Sequence, residues 1–346
     1  MQRTKKIKRY DFGKIKKIME MPHLLDIQNK SFEWFKEEGI FEALKDISPI
    51  EDFTGNMYLE FVSGHFGEEN ATIDVCKMQD MTYSAPLKAV AKFVNRETGE
   101  IKEQEVFMGD FPMMTENGTF IINGTERVVV SQLVRSPGVY YSSEIDKKTE
   151  KELFMCKVIP TRGSWIEIET DKKNMAYVRI DRKRKFLLTI FLKAVDFGNN
   201  EDLMNIFGPY DKTGCIKNTL EKDITENEKE ALIEIYKKLR PGEPPTIDSG
   251  RNLVHSLFFN SKRYDLGKVG RYKLDQKLDE DIDKKILSRL YDIDKKREKD
   301  SDGLYDSSNK NILSSKDIFL ITKYMTQLIS DLGSIDDIDH FGNRRI

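Results

Sequence analysis

The sequence predicts an α+β fold in two modules, and three observations support that prediction. Between residues 55 and 135 apolar and polar positions alternate at a period of two, broken by Asn-Gly and Pro-Gly turn signals. Later in the chain, apolar positions recur at helical spacing behind capping residues. The length of 346 residues fits two domains at roughly 100–200 residues each. The expected layout is two domains behind a basic arm over 1–20, with a variable connection at 275–313.

Taken in order, "RTKKIKRY" makes the arm strongly basic. "MPHLLDIQNKSFEWFKEEG" predicts an amphipathic helix, with Pro22 in its first turn and Gly39 ending it. "NMYLEFV" reads as a half-buried strand on Met57, Leu59 and Phe61. "PLKAVAKFV" and "IKEQEVFMG" form a hairpin across the turn-rich "NRETGE". Asn117-Gly118 and Asn123-Gly124 each predict a type I′ turn, folding "TFII" and "ERVVVSQL" into a tight meander. After Pro137-Gly138, strands are expected at "LFMCKVIP", "WIEIET", "AYVRID" and "KFLLTIFLKAV". "TENEKEALIEIYKKL" predicts a helix capped by Thr225 and Glu228, which "RPGEPPT" stops. A helix over 247–258 follows. The Asp/Lys/Ser-rich 275–313 reads as an exposed connection, and the final helix starts at Ser314 with Asp317 closing a capping box. The chain ends abruptly at "GNRRI", as a piece of a longer protein would.

Composition narrows the function classes. No run of about 18 apolar residues is present, so neither a transmembrane helix nor a membrane partner is expected. The basic start lacks the apolar core of a secretion signal, which predicts a cytoplasmic protein. Cys76, Cys156 and Cys215 stand far apart, as do the four histidines, so packed thiols are expected rather than disulfides or a zinc site. The chain carries no P-loop, dinucleotide fingerprint or nucleophile elbow. "DDIDH" at 336–340 comes closest to a metal cluster, though a turn is the commoner role for such a run. No catalytic residue and no metal ligand is assigned. Net charge is −2, yet the basic residues cluster in "RTKKIKRY", "RIDRKRK", "KRYDLGKVGRYK" and "GNRRI". Each such patch acts locally, over a screening length of about 8–10 Å.

Seven segments then resemble, in order, the amino-terminal part of the bacterial RNA polymerase β subunit. They are "TYSAPLK", "KEQEVFMGDFPMMTENGTFIINGTERVVVSQLVRSPGVYY", "IPTRGSWIEIE", "VRIDRKRK", "ALIEIYKKLRPGEPPT", "RYDLGKVGR" and "DDIDHFGNRRI". The resemblance runs from about residue 5 to 346 and is weakest over 275–313. It implies two modules, the protrusion (β1, its first part only) over 21–125 and the lobe (β2) over 126–346, which form one wall of the DNA cleft. It also implies partners: the β′, α and ω subunits, a sigma factor, promoter DNA and RNA. The polymerising chemistry and its Mg²⁺ are expected on β′, with no cofactor bound by this chain and a location at the bacterial nucleoid.

The resemblance assigns roles residue by residue. Trp165 would stack on an unpaired nontemplate base, and Arg135, Ile338, Asp339 and Arg344 would help hold a nontemplate guanine. Arg127, Val130, Ser131 and Gln132 would edge the rifamycin pocket, although the chain alone is expected to lack useful rifamycin affinity. Ile101, Lys102 and Glu103 would begin an edge strand to which Tudor-like domains of regulators such as the transcription-repair coupling factor and CarD add. The basic stretches 179–185 and 262–273 would offer phosphate contacts. Two other readings predict different behaviour: a free-standing single-strand-binding module, and a nuclease using "DDIDH".

Overall fold

The computed structural model describes residues 10, 13, 19, 23–52, 55–278, 282–300, 305, 309 and 311–346. The expected basic arm and Pro22 fall almost wholly outside the described residues. The chain divides into two compact units, Met1–Val130 and Ser131–Ile346. Helices and antiparallel sheets make up both, in keeping with the α+β expectation.

In the first unit, α1 (Asp26–Trp34) runs through a π-helical turn, Phe35–Gly39, into α2 (Ile40–Ile47). Gly39 was expected to end the helix, but it holds helical angles, φ −63 and ψ −35. The helix continues because Ile40 and Leu44 gain burial against Ala89, Phe61, Phe66 and Leu87, at about 1.5–3 kcal/mol for each large apolar side chain. The Trp34 ring packs where a Cβ on Gly39 would sit, 3.1 Å away. Next come β1 (Ile50–Glu51), β2 (Met57–Phe66), α3 (Ile73–Met78), β3 (Ser84–Asn95) and β4 (Glu100–Pro112). The four strands form one sheet in the order β1-β2-β3-β4, with β4 at the edge.

The short pair β5 (Phe120–Ile122) and β6 (Thr125–Arg127) closes on Asn123 and Gly124, whose φ of 49 and 72 make the expected type I′ turn. At Asn117-Gly118 only the glycine has positive φ. Its N–H bonds back to the Thr115 carbonyl at 2.9 Å, while the Thr115 N–H reaches the Thr119 carbonyl at 2.8 Å. That loop is therefore a longer closure than a two-residue hairpin. The valine-rich strand was expected to run through residue 133, yet β6 stops at Arg127. Val128, Val129 and Val130 are exposed. Apolar alternation needs a paired neighbour to become a strand, and none pairs with residues 128–133 among the described residues.

The second unit holds β7 (Val134–Arg135), β8 (Gly138–Ile145), β9 (Glu152–Ile159), β10 (Ile166–Thr170), β11 (Ala176–Ile180) and β12 (Phe186–Leu187). The last five form an antiparallel sheet in the order β12-β11-β10-β9-β8. "KFLLTIFLKAV", expected to be a strand, is β12 followed by the helix α4 (Leu188–Ala194), all seven of whose residues are buried. A short apolar run with no polar alternation fits a buried helix as well as a strand.

Helices α5 (Asn200–Phe207), α6 (Cys215–Lys222), α7 (Glu228–Leu239) and α8 (Ile247–Phe258) follow. The cap of α7 is Asn227, whose side chain accepts from the Glu230 N–H at 3.2 Å. Thr225, the expected cap, instead donates its hydroxyl to Asp223 at 2.7 Å. Next come α9 (Gly267–Lys277) and α10 (Lys284–Asp300), the latter crossing the stretch expected to be an exposed connection. Polar composition concealed its inner face. Leu290 and Ile293 are buried, and the Arg297 guanidinium lies 3.8 Å from the Phe259 ring centroid while donating to the Val195 carbonyl at 2.9 Å. Finally, α11 (Ser315–Ile329) has the expected Ser314–Asp317 capping box, and β13 (Arg344–Arg345) pairs with β7.

Below α4 lies a buried charge pair. The Lys193 ammonium donates to Asp223 Oδ2 at 2.8 Å, both side chains are fully buried, and Thr189 donates to the same oxygen at 2.6 Å. Burial would raise the Asp223 carboxyl, but hydrogen bonds from Lys193, Thr189 and Thr225 outweigh it and hold the group below its ordinary value. A lowered carboxyl contributes stability that is complete above the unfolded value of about 3.9 and is lost as pH falls through the folded value. Lys193→Met strands the carboxylate, so we expect urea unfolding to show a loss of about 3–5 kcal/mol. Replacing both partners, Lys193→Met with Asp223→Leu, should recover a large part of that loss.

Candidate nucleic-acid interface

The clearest polar construction in the second unit is a two-stranded ribbon joining the start of the unit to residues 336–346. Arg135 in β7 stands directly opposite Arg344 in β13, and Val134 opposite Arg345. Two guanidinium groups on facing positions repel each other, so the ribbon requires anchors and a counter-charge. Asp339 supplies the counter-charge through an ion pair with Arg344, and its own side chain is largely exposed. The anchors come from α9.

Lys273 is the central anchor. Its ammonium donates to Ser136 Oγ at 2.8 Å, Tyr140 OH at 3.2 Å, the Gly342 carbonyl at 2.6 Å and Asn343 Oδ1 at 3.0 Å. The same contacts tie the residues beside Arg135 to those beside Arg344. The Ser136 N–H completes the tie by donating to the Asn343 carbonyl at 3.0 Å. Gly138, at φ 148, allows this approach, since a Cβ there would lie 3.2 Å from that of Lys273.

One helical turn further on, Lys277 pairs with Asp336 at 2.9 Å. The other Asp336 oxygen accepts from the Tyr141 N–H at 2.8 Å, and the Asp336 N–H donates to the Tyr141 carbonyl at 2.7 Å. Burial opposes the charge on Lys277, but the hydrogen bond and field of Asp336 raise it above the usual lysine range. A raised lysine keeps its stabilising contribution below the unfolded value of about 10.4 and loses it only as pH climbs through the folded one. In "DDIDH", Asp336 is thus paired with Lys277 and Asp339 with Arg344. Among the described residues no group of three or more His, Cys, Asp or Glu is placed to hold a metal ion.

Trp165 is held by other elements. It follows Gly163, whose φ of 124 and close approach to Tyr264, 2.7 Å from a Cβ placed there, exclude other residues. The Trp165 N–H donates to Asp181 Oδ1 at 2.8 Å and its carbonyl accepts from the Asp181 N–H at 3.1 Å. Asp181 and Arg182 both adopt positive φ, 50 and 58, and this turn places the Arg182 guanidinium 5.3 Å from the half-buried indole. Such a pair gives the ring a cationic neighbour.

The remaining expected residues are spread out. Ile338 lines a cleft of about 550 Å³ on the sheet, with Ser142, Phe154, Lys157 and Tyr177. Arg127 and Val130 in the first unit, and Ser131 and Gln132 in the second, are exposed. Ile101, Lys102 and Glu103 are exposed on the edge strand β4, opposite Val94, Phe93 and Lys92 of β3. Of the basic stretches, 262–273 is not simply a solvated face. Arg271 makes paired contacts to Asp317 at 2.7 and 3.0 Å, and Lys273 is the anchor described above. In 179–185, Arg179 and Lys185 share Glu169, at 3.1 and 3.3 Å, while Lys183 and Arg184 are exposed. Sequence reading missed Lys273, Asp181 and Arg182 as organising residues.

If Lys273 holds the ribbon, Lys273→Met should free it selectively. Amide hydrogen exchange is expected to speed up at Ser136, Arg135 and Arg345 while the β8–β11 amides stay protected. Equal exchange in the two proteins would contradict the anchor role.

Comparison with known proteins places these features in one family. The family model described as RNA polymerase Rpb2, domain 2, matches residues 135–294 and 303–346, from Arg135 through the ribbon's second strand. The DNA-directed RNA polymerase subunit beta of Lysinibacillus sphaericus (strain C3-41) is 42% identical over 403 aligned positions, which cover 98% of this chain. The chain spans about a third of that relative's length, 33%. Among the described residues no helix is long and apolar enough to cross a membrane. On these matches the chain belongs to the RNA polymerase Rpb2/β-subunit family.

Proposed function

We propose that this chain works as part of a cytoplasmic, nucleoid-associated DNA-directed RNA polymerase, a nucleotidyltransferase. Its two modules, protrusion and lobe, would form one wall of the DNA cleft and grip the melted nontemplate strand. The observation that carries this reading is the anchored ribbon, which sets Arg135, Arg344 and Asp339 together inside the segment that matches the family model. A carboxylate accepts from guanine N1 and N2, and guanidinium groups donate to O6 or phosphate, so this set suits a flipped guanine with Ile338 as an apolar neighbour. Trp165 would take an unpaired nontemplate base, because stacking tolerates any base.

Nucleotidyl transfer and its Mg²⁺ belong, on this reading, to the β′ partner, and no step is assigned to residues of this chain. The α and ω subunits, sigma, promoter DNA and the transcript are further partners. Arg127, Val130, Ser131 and Gln132 would contribute one edge of the rifamycin pocket. Lys183 and Arg184, both exposed, would offer sequence-blind phosphate contacts.

Two experiments test the reading in the reconstituted polymerase. Trp165→Ala should weaken binding to a premelted promoter fork by about 1–3 kcal/mol, with little change on fully paired DNA. Equal loss on both templates would argue against base stacking. Glu103→Lys on the β4 edge should weaken the addition of a Tudor-like regulator domain through strand pairing. Unchanged binding would remove that edge from the interface.

A further inference from the structure

We propose that a cleft between the β11–β12 edge and α7 docks an acidic segment of a partner protein, which inserts an aliphatic side chain. The cleft has a volume of about 550 Å³. Its floor is aliphatic and aromatic: Phe186, Leu187, Ile190 and Ile233. At its mouth stands Ile224, 94% exposed. That exposure does not come from a loose loop. Asp223 on one side is fixed by Lys193 at 2.8 Å and Thr189 at 2.6 Å, and the Thr225 N–H on the other side donates to Asp223 at 2.9 Å. A pinned loop that presents a bare isoleucine beside an apolar floor is built for contact.

The rim selects the partner's charge. Lys185, Lys222, Lys237 and Lys238 surround the cleft, against Glu230 and Glu234. Both glutamates are already engaged. Glu230 accepts the Glu226 N–H at 2.9 Å, and Glu234 pairs with Lys238 at 3.3 Å. Lys185 is shared with Glu169 at 3.3 Å. Lys222 and Lys237 have no carboxylate within ion-pair distance among the described residues, and they outweigh the one rim carboxylate, Glu230, that no lysine or arginine pairs with, so the rim's net charge is positive.

A nucleic acid would also answer to lysines, but the floor does not suit one. Of the two rings that line the cleft, Phe186 is only 1% exposed, and Tyr177 has the Lys185 ammonium 4.7 Å and the Lys222 ammonium 5.6 Å from its centroid, with Lys222 also donating to its hydroxyl at 3.1 Å. No open ring is left there for a base, whereas the aliphatic floor accepts a leucine-like anchor flanked by carboxylates.

Fluorescence anisotropy with the whole chain tests this, using a labelled amphipathic Glu/Leu peptide and its Glu/Ser counterpart. The Glu/Leu peptide is expected to bind and the Glu/Ser peptide to bind about tenfold more weakly or worse. Ile224→Asp and the double change Lys222→Glu with Lys237→Glu should each cost about tenfold in affinity. Thermal unfolding should be unchanged, because these side chains lie on the surface. Binding that is equal for both peptides, or unaffected by Ile224→Asp, would overturn the proposal. So would displacement of the bound peptide by oligothymidylate, which would assign the cleft to nucleic acid.

Discussion

One ammonium group organises the ribbon end of the second unit. Lys273 satisfies four oxygens drawn from two segments far apart in sequence, and in doing so fixes the register between β7 and β13. A two-residue pairing has little stability of its own, and this one also sets arginine against arginine. The charge-assisted hydrogen bonds of a partly buried lysine compensate for both. The Lys277–Asp336 pair one turn away holds the approach to the ribbon at Tyr141. Without these two lysines, Arg135 and Arg344 would have no defined spacing.

The same device recurs elsewhere in the unit for other ends. Lys193 with Asp223, and Arg297 with Asp294 at 3.0 Å, are buried charges tied to elements that composition alone would assign to the surface. Arg297 draws α10 onto the core and Lys193 fixes the loop carrying Ile224. The high charge content thus has two roles. Some charges orient segments from within, and others, such as Lys183, Arg184 and Lys237, stand exposed on the surface.

How much of this could be read from the sequence varies by feature. Helix α8 lies where it was expected, over 247–258, and the start of α11 was legible because the Ser314–Asp317 capping box is local. The strand at Ile101–Glu103 followed from the hairpin signal, and its edge position from the resemblance. Local rules failed where tertiary contacts took over. Asp223 claimed Thr225 from its expected cap, packing of Ile40 and Leu44 carried a helix through Gly39, and burial on all sides turned "LTIFLKA" from strand to helix. The β7–β13 pairing and the role of Lys273 had no local signature. A lysine inside a basic run looks the same whether it meets phosphate or four internal oxygens.

On the proposed function, the Lys273 anchor would set Arg135 and Arg344 at the spacing a nontemplate guanine requires. The most direct measurement compares, in reconstituted polymerase, the affinity for promoter forks carrying guanine or adenine at the pocket position, with and without Lys273→Met. The parent is expected to prefer guanine by about 1–3 kcal/mol, and the variant to lose most of this preference while still binding DNA. A variant that keeps the full preference would contradict that expectation.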